Sequence, residues 1–183
     1  MIVCEGSIAT LLNYWDFFST TVQCTALQVA FNCSHNASLN SFMMICNVIP
    51  ILCNVLGYSD QCLVKYACLY IICTIKSYHH SSPDLLETFL NAQLIHAVHT
   101  FLIPAGRSPL ISSNTYSLFL HALCMATKVS PWIAIALLEA DVADTLYQIL
   151  TGVLPPQMDS HEGKGAVSGG QGLGSGLADM AVL

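Results

Sequence analysis

Charge is what this chain has least of. Only 9% of its 183 residues are Asp, Glu, Lys or Arg, against roughly 25% in an average globular domain. Arginine occurs once, at Arg107, and the other cations are Lys65, Lys76, Lys128 and Lys164. Five scattered cations under a net charge of −6 make no basic face, so nucleic-acid binding is not indicated. Nine cysteines are present, yet no two are spaced as CxxC, which removes the zinc-ribbon and dithiol redox motifs. Met1 is followed by no basic stretch and no small-residue cleavage site, so a signal peptide is not expected. Without one, the sequons at Asn32 and Asn36 carry little weight, and the cysteines fit a reducing compartment, nucleus or cytoplasm.

An unbroken apolar run is also missing. No charged residue lies between Phe17 and Ser59, and the mean hydropathy is +0.61. A membrane-spanning helix nevertheless needs about 20 predominantly apolar residues. This stretch is interrupted by Asn32, Asn36, Asn40, Asn47, Pro50 and Asn54, and its most apolar part, residues 42–57, is short and contains the proline. A small helical membrane protein therefore stands as the competing class, with a Cys-rich metal or redox protein as a third.

What the chain has is helical periodicity. Ile8, Leu11, Leu12, Trp15 and Phe18 predict an amphipathic helix over 6–18. Ser19 or Thr20 is placed to cap a second helix with Val22, Ala26, Val29, Ala30 and Cys33 inward. Ser38 opens a third segment, which Pro50 must kink or split near Val48; Gly57 ends it, and Asp60 can cap a helix over 61–76. Ser82-Pro83 and Ser130-Pro131 each pair an N-cap with a proline at the first helical position. Residues 49–78 and 130–155 both read as apolar helix, polar turn, apolar helix. A shift of 41 residues lays Leu11 on Leu52, Asn13 on Asn54, Val22 on Leu63 and Ala26 on Ala67. That matches the roughly 40–47-residue period of armadillo and HEAT units. A third copy, from Ala67 to Ala122, needs an insertion, which the loop at 104–114 with its Pro and Gly supplies. The expected fold is all-α: an armadillo/HEAT-like right-handed superhelix of stacked repeats over 1–154. A Gly-rich linker follows over 155–183, and the closing LADMAVL looks like the start of a further element.

No arrangement of residues announces chemistry. His96 and His99 share a helical face and could meet His79 or His80, but spacing supplies no converging set of metal ligands. Cys124 and His121 lack an orienting third group for nucleophilic catalysis. Cys62, Cys68 and Cys73 read as small apolar core residues. The aromatics Tyr14, Trp15, Phe17 and Phe18 read as an interface buried between repeats. No catalytic residue, metal site or cofactor is indicated. The candidates for partner contact are Arg107, Ser108 and Asn114 on the long loop, and the acidic corner Glu139, Asp141 and Asp144. Asp141 is placed to cap the last helix and Asp144 to favour its first turn.

Several strings carry a family resemblance: YWDFFSTTVQ (14–23), GYSDQCLVKYA (57–67), LIPAGRSPLISSNTYSL (102–118), GQGLGSGLADM (170–180) and above all IALLEADVADTLYQILTGVLP (135–155). They resemble the armadillo-repeat region of HECT-type ubiquitin-protein ligases of the ubiquitin-fusion-degradation and thyroid-receptor-interactor group. The resemblance implies a scaffold that engages protein substrates or ubiquitin, with no nucleic acid or membrane as partner. The family's catalytic unit is a C-terminal HECT domain with a thioester-forming cysteine. Nothing in this sequence matches that domain, so no catalytic residue carries over. Positions usually Arg in the family hold Cys24, Cys46, Cys53, Cys62, Cys73 and His121 here. Single C-to-T changes in Arg codons leave that pattern, as in a decayed gene copy.

Overall fold

The computed structural model describes residues 13–35, 42–80, 83–102 and 111–153, and every regular element among them is helical. A 3-10 turn at Trp15–Phe17 precedes α1 (Thr20–Ser34), α2 (Phe42–Cys46), α3 (Ile49–Leu56) and α4 (Gln61–Tyr78). Then come α5 (Pro83–Phe89), α6 (Ala92–Leu102), α7 (Ser113–Val129), α8 (Pro131–Glu139) and α9 (Val142–Thr151). The expected Gly-rich linker and most of the 104–114 loop lie outside the described residues.

Local chemistry sets most of these boundaries. The Asp60 carboxylate accepts from the Leu63 amide at 3.0 Å and opens α4. Ser112 and Ser130 do the same for Thr115 and Ile133, each at 3.3 Å, and open α7 and α8. Pro50 sits in the first turn of α3, where its missing amide costs nothing, and the chain breaks at Asn47–Val48 as its sequence requires. Gly152 ends α9 in the left-handed region at φ 70°, which glycine adopts without strain. Ser19 occupies the N-cap position of α1, but its side chain makes no capping bond, contrary to expectation.

The helices fall into units of short, middle and long. One unit is α2–α3–α4 and the next is α5–α6–α7, while α1 ends a unit before them and α8–α9 open a unit after. Like packs on like: long α1 on α4 on α7, middle α3 on α6 on α9, and short α2 on α5. This stacking is what a solenoid requires, since each unit buries its apolar sides only against its neighbours. The two hairpins that look alike in the sequence are therefore different parts of the unit. Residues 49–78 are middle plus long, whereas 130–155 are short plus middle.

The core runs continuously through the stack. Leu27, Leu52, Leu63, Ile71, Ile75, Leu86, Leu94 and Phe119 are fully buried. Ala26, Ala67 and Ala122 are buried on the three long helices, where a small side chain lets the backbones approach. The stripe of α1 corrects the expectation. Ala26, Leu27, Ala30 and Ser34 face inward, while Val22 and Val29 are exposed. The cause is positional: α1 packs on α4 alone among the long helices, so only the side turned to α4 is covered. The 3-10 turn before it follows the same logic. Trp15 is buried, but Tyr14 and Phe17 are exposed, so the aromatic group is not a closed interface here.

Buried polar groups are satisfied. Ser34 and Thr74 donate back to the carbonyls of Phe31 and Tyr70, and the Tyr70 hydroxyl donates to the Ile45 carbonyl at 3.4 Å, tying α4 to α2. Among the described residues no buried side-chain polar atom lacks a partner. No helix among them is long and apolar enough to cross a membrane.

Candidate docking surface

The residues singled out from sequence fall in three places. Arg107 and Ser108 lie outside the described residues. Asn114 is exposed in the first turn of α7, beside the Ser112 cap. Glu139, Asp141 and Asp144 are all exposed and gather at the α8–α9 corner. Among the described residues, no hydrogen bond joins Asn114 to that corner.

The corner is built by a sharp reversal. Glu139 is the last residue of α8, and Asp141 stands in the left-handed region at φ 57° before α9 begins. Aspartate tolerates this conformation better than most residues, because its short polar side chain interacts locally with the backbone. Its amide donates to the Leu138 carbonyl at 3.0 Å, and its carbonyl accepts from the Thr145 amide at 3.0 Å. The side chain makes no cap bond, so Asp141 turns the chain rather than capping α9. The left-handed backbone withdraws the carboxylate from the extended geometry that a capping side chain uses. Asp144 does lie in the first turn of α9, where its charge suits the helix dipole.

Next to this acidic edge is a feature that the sequence reading missed. Trp132, Ile135 and Leu138 on α8, with Tyr147, Leu150 and Val153 on and after α9, are exposed, Leu138 at 60% and Val153 at 62%. The opposite sides of the same helices carry Ile133, Leu137, Val142 and Ile149 into the core. The signal was present in PWIAIALLE, which is apolar around its whole circumference. A helix of that kind has more greasy surface than one neighbour can cover. The result is that the last two described helices carry exposed apolar residues as well as the three carboxylates.

The remaining candidates hold other roles. His99 shares a hydrogen bond with Thr145 at 3.1 Å and joins α6 to α9. His96 is exposed on α6, and the His79 and His80 rings sit together at 3.6 Å where α4 ends. No group of three or more His, Cys, Asp or Glu side chains able to hold a metal occurs among the described residues. His121 and Cys124 are exposed on α7. Cys68 and Cys73 are buried, as small apolar residues would be. Cys62 corrects the expectation: it is exposed and forms a disulfide with Cys24 of α1. Burial pushes the Cys46 thiol up from 9.0 to about 11 and raises Cys68 further, so both stay protonated and unreactive at neutral pH. Tyr70 is raised by burial first, and then by the anionic forms of Cys46, Tyr78, Cys73 and Cys33 around it.

Comparison with known proteins finds relatives among proteins of ubiquitin ligation. The chain is 31% identical over 160 residues to a probable ubiquitin fusion degradation protein of Schizosaccharomyces pombe, covering 86% of this chain and 9% of that one. This chain matches a region of the ubiquitin-fusion-degradation ligase group. It is also 25% identical to the E3 ubiquitin-protein ligase TRIP12 of Danio rerio, over 82% of this chain and 7% of that one. Against the E3 ubiquitin-protein ligase UPL3 of Arabidopsis thaliana the identity is 26%, over 80% of this chain and 8% of the relative. The chain thus spans no more than about a tenth of the length of the ligases it matches. No family model matches the chain, and no solved structure matches it.

Proposed function

We propose that this chain is a protein-docking scaffold segment of a HECT-type ubiquitin-protein ligase, holding a substrate or ubiquitin for a catalytic domain located elsewhere. Its place of action is the nucleus or cytoplasm. The observation that carries this reading is the similarity over 80–86% of the chain to proteins named for ubiquitin ligation or ubiquitin fusion degradation. The structure supports it in kind: stacked helical units present extended surfaces for partners. The docking surface is assigned to the α8–α9 corner, with Glu139, Asp141 and Asp144 as the acidic rim and Trp132, Ile135 and Leu138 as the apolar floor. Asn114 in the first turn of α7, with Arg107 and Ser108 earlier in the sequence, forms a second contact region. A rim of this charge selects a partner surface that carries Lys or Arg around an apolar centre.

The test is equilibrium binding of the chain to ubiquitin and to an unfolded ubiquitin-fusion substrate, at low and moderate salt. Saturable binding to one of them is expected. The double variant Glu139→Lys/Asp144→Lys should weaken it about tenfold, equivalent to ~1.4 kcal/mol. Its stability should change by no more than about 0.5 kcal/mol, because both residues are exposed. Absence of saturable binding to either protein would reject the proposal, and binding indifferent to the charge reversal would reject the corner as its site.

A further inference from the structure

We infer that Cys24 and Cys62 form a thiol-modification site that exchanges with low-molecular-weight disulfides of the glutathione class and locks two successive repeats together. The two residues stand 38 apart in sequence on different long helices, α1 and α4, which pack side by side. Their Cα atoms are 6.1 Å apart, within the span that a disulfide bridges without backbone movement. The positions differ in the way a two-step exchange needs. Cys62 is exposed at the second residue of the 18-residue helix α4, where a disulfide in solution reaches it. Cys24 is half-buried inside α1 and sits behind it.

The chemistry balances. The Cys62 thiolate attacks one sulfur of glutathione disulfide, which forms a mixed disulfide on Cys62 and releases one glutathione thiolate. Cys24 gives its proton to solvent and attacks the Cys62 sulfur, which expels the second glutathione thiolate. Two protein thiols are oxidised and one glutathione disulfide is reduced to two thiols, with the released thiolates taking up protons at neutral pH. Excess reduced glutathione runs the same steps backwards. Burial disfavours reaction at other cysteines: desolvation raises Cys46, Cys53 and Cys68, and Cys73 is buried. The consequence is mechanical: a bridge between long helices of adjacent units fixes how one unit rotates on the next, and reduction frees that rotation.

The test uses the full chain, fully reduced and then placed in glutathione redox buffers, with timed acid quench, alkylation and peptide mapping by mass spectrometry. The expected product is the Cys24–Cys62 bridge. In Cys24→Ser the reaction should stop at one glutathione on Cys62. In the reduced chain exposed Cys62 should be alkylated faster than half-buried Cys24. Circular dichroism checks that the variant keeps its helices. If it does not, the order of alkylation of Cys62 and Cys24 in the reduced parent chain decides the matter. A parent chain that forms no Cys24–Cys62 bridge, or a Cys62 no faster than Cys24, overturns the inference.

Discussion

The N-cap serines make unequal predictions, and Ser130→Ala makes the largest. Ser130 is fully buried between α7 and α8. Its hydroxyl accepts from the Ile133 amide at 3.3 Å and donates to the Glu87 carboxylate of α5 at 2.5 Å. Loss of an N-cap side chain costs about 1 kcal/mol. Loss of a hydrogen bond to a charged group costs about 1.5–3 kcal/mol, most of it from the carboxylate left without its donor. These two terms share one oxygen and do not add fully, so the expected loss is about 2–3 kcal/mol. Ser112 is exposed, and Ser112→Ala removes its cap bond to the Thr115 amide at 3.3 Å with the hydroxyl contact to Thr115 at 3.0 Å, so it should cost about 1 kcal/mol. Ser19→Ala removes a side chain that makes no cap bond and should stay within about 0.5 kcal/mol. Urea unfolding followed by tryptophan fluorescence and far-UV circular dichroism measures all three, and unchanged m-values certify that stability alone moved. A double-mutant cycle with Glu87→Gln isolates the coupling. Should Ser130→Ala cost no more than Ser19→Ala, the buried junction between α5 and α8 is not as described here.

Two further outcomes follow from the same structure. Reducing the Cys24–Cys62 bridge, which closes a loop of 38 residues, should lower stability by about 4 kcal/mol in the chain-entropy account, read as a shift of the urea midpoint with and without reductant. Burial raises Cys46 from 9.0 to about 11 and Tyr116 from 10.0 to about 12, the latter with a smaller push from Cys68, so the folded state holds these protons more tightly than the unfolded chain. That stability is complete below about pH 9 and is lost as pH rises towards about 12. Thermal melts should therefore show a midpoint falling progressively above pH 9, and a midpoint flat to pH 11 would contradict the burial of these groups.

Much of the local structure was legible because its causes are local. Asp60, Ser112 and Ser130 cap helices through bonds that span three residues, and Pro50 breaks a helix wherever the fold places it. Other expectations failed where a distant neighbour decides. Val22 and Val29 look inward by periodicity, but only one side of α1 is covered. Asp141 has a capping residue's identity, yet the tightness of the α8–α9 reversal gives it a left-handed backbone. Cys62 reads as one more apolar thiol until α1 brings Cys24 alongside it.

By itself the sequence determined that this chain is helical and repetitive, and which ligase group it resembles. Each of those follows from spacing, turn chemistry and residue strings that survive without a fold. Only the tertiary structure decided that the unit is three helices rather than two. It also decided which apolar residues of α8 and α9 are exposed, and that two cysteines 38 residues apart become partners. The physical reason is that coverage and proximity are properties of stacked neighbours, and no residue's identity states which of its faces the next helix will reach.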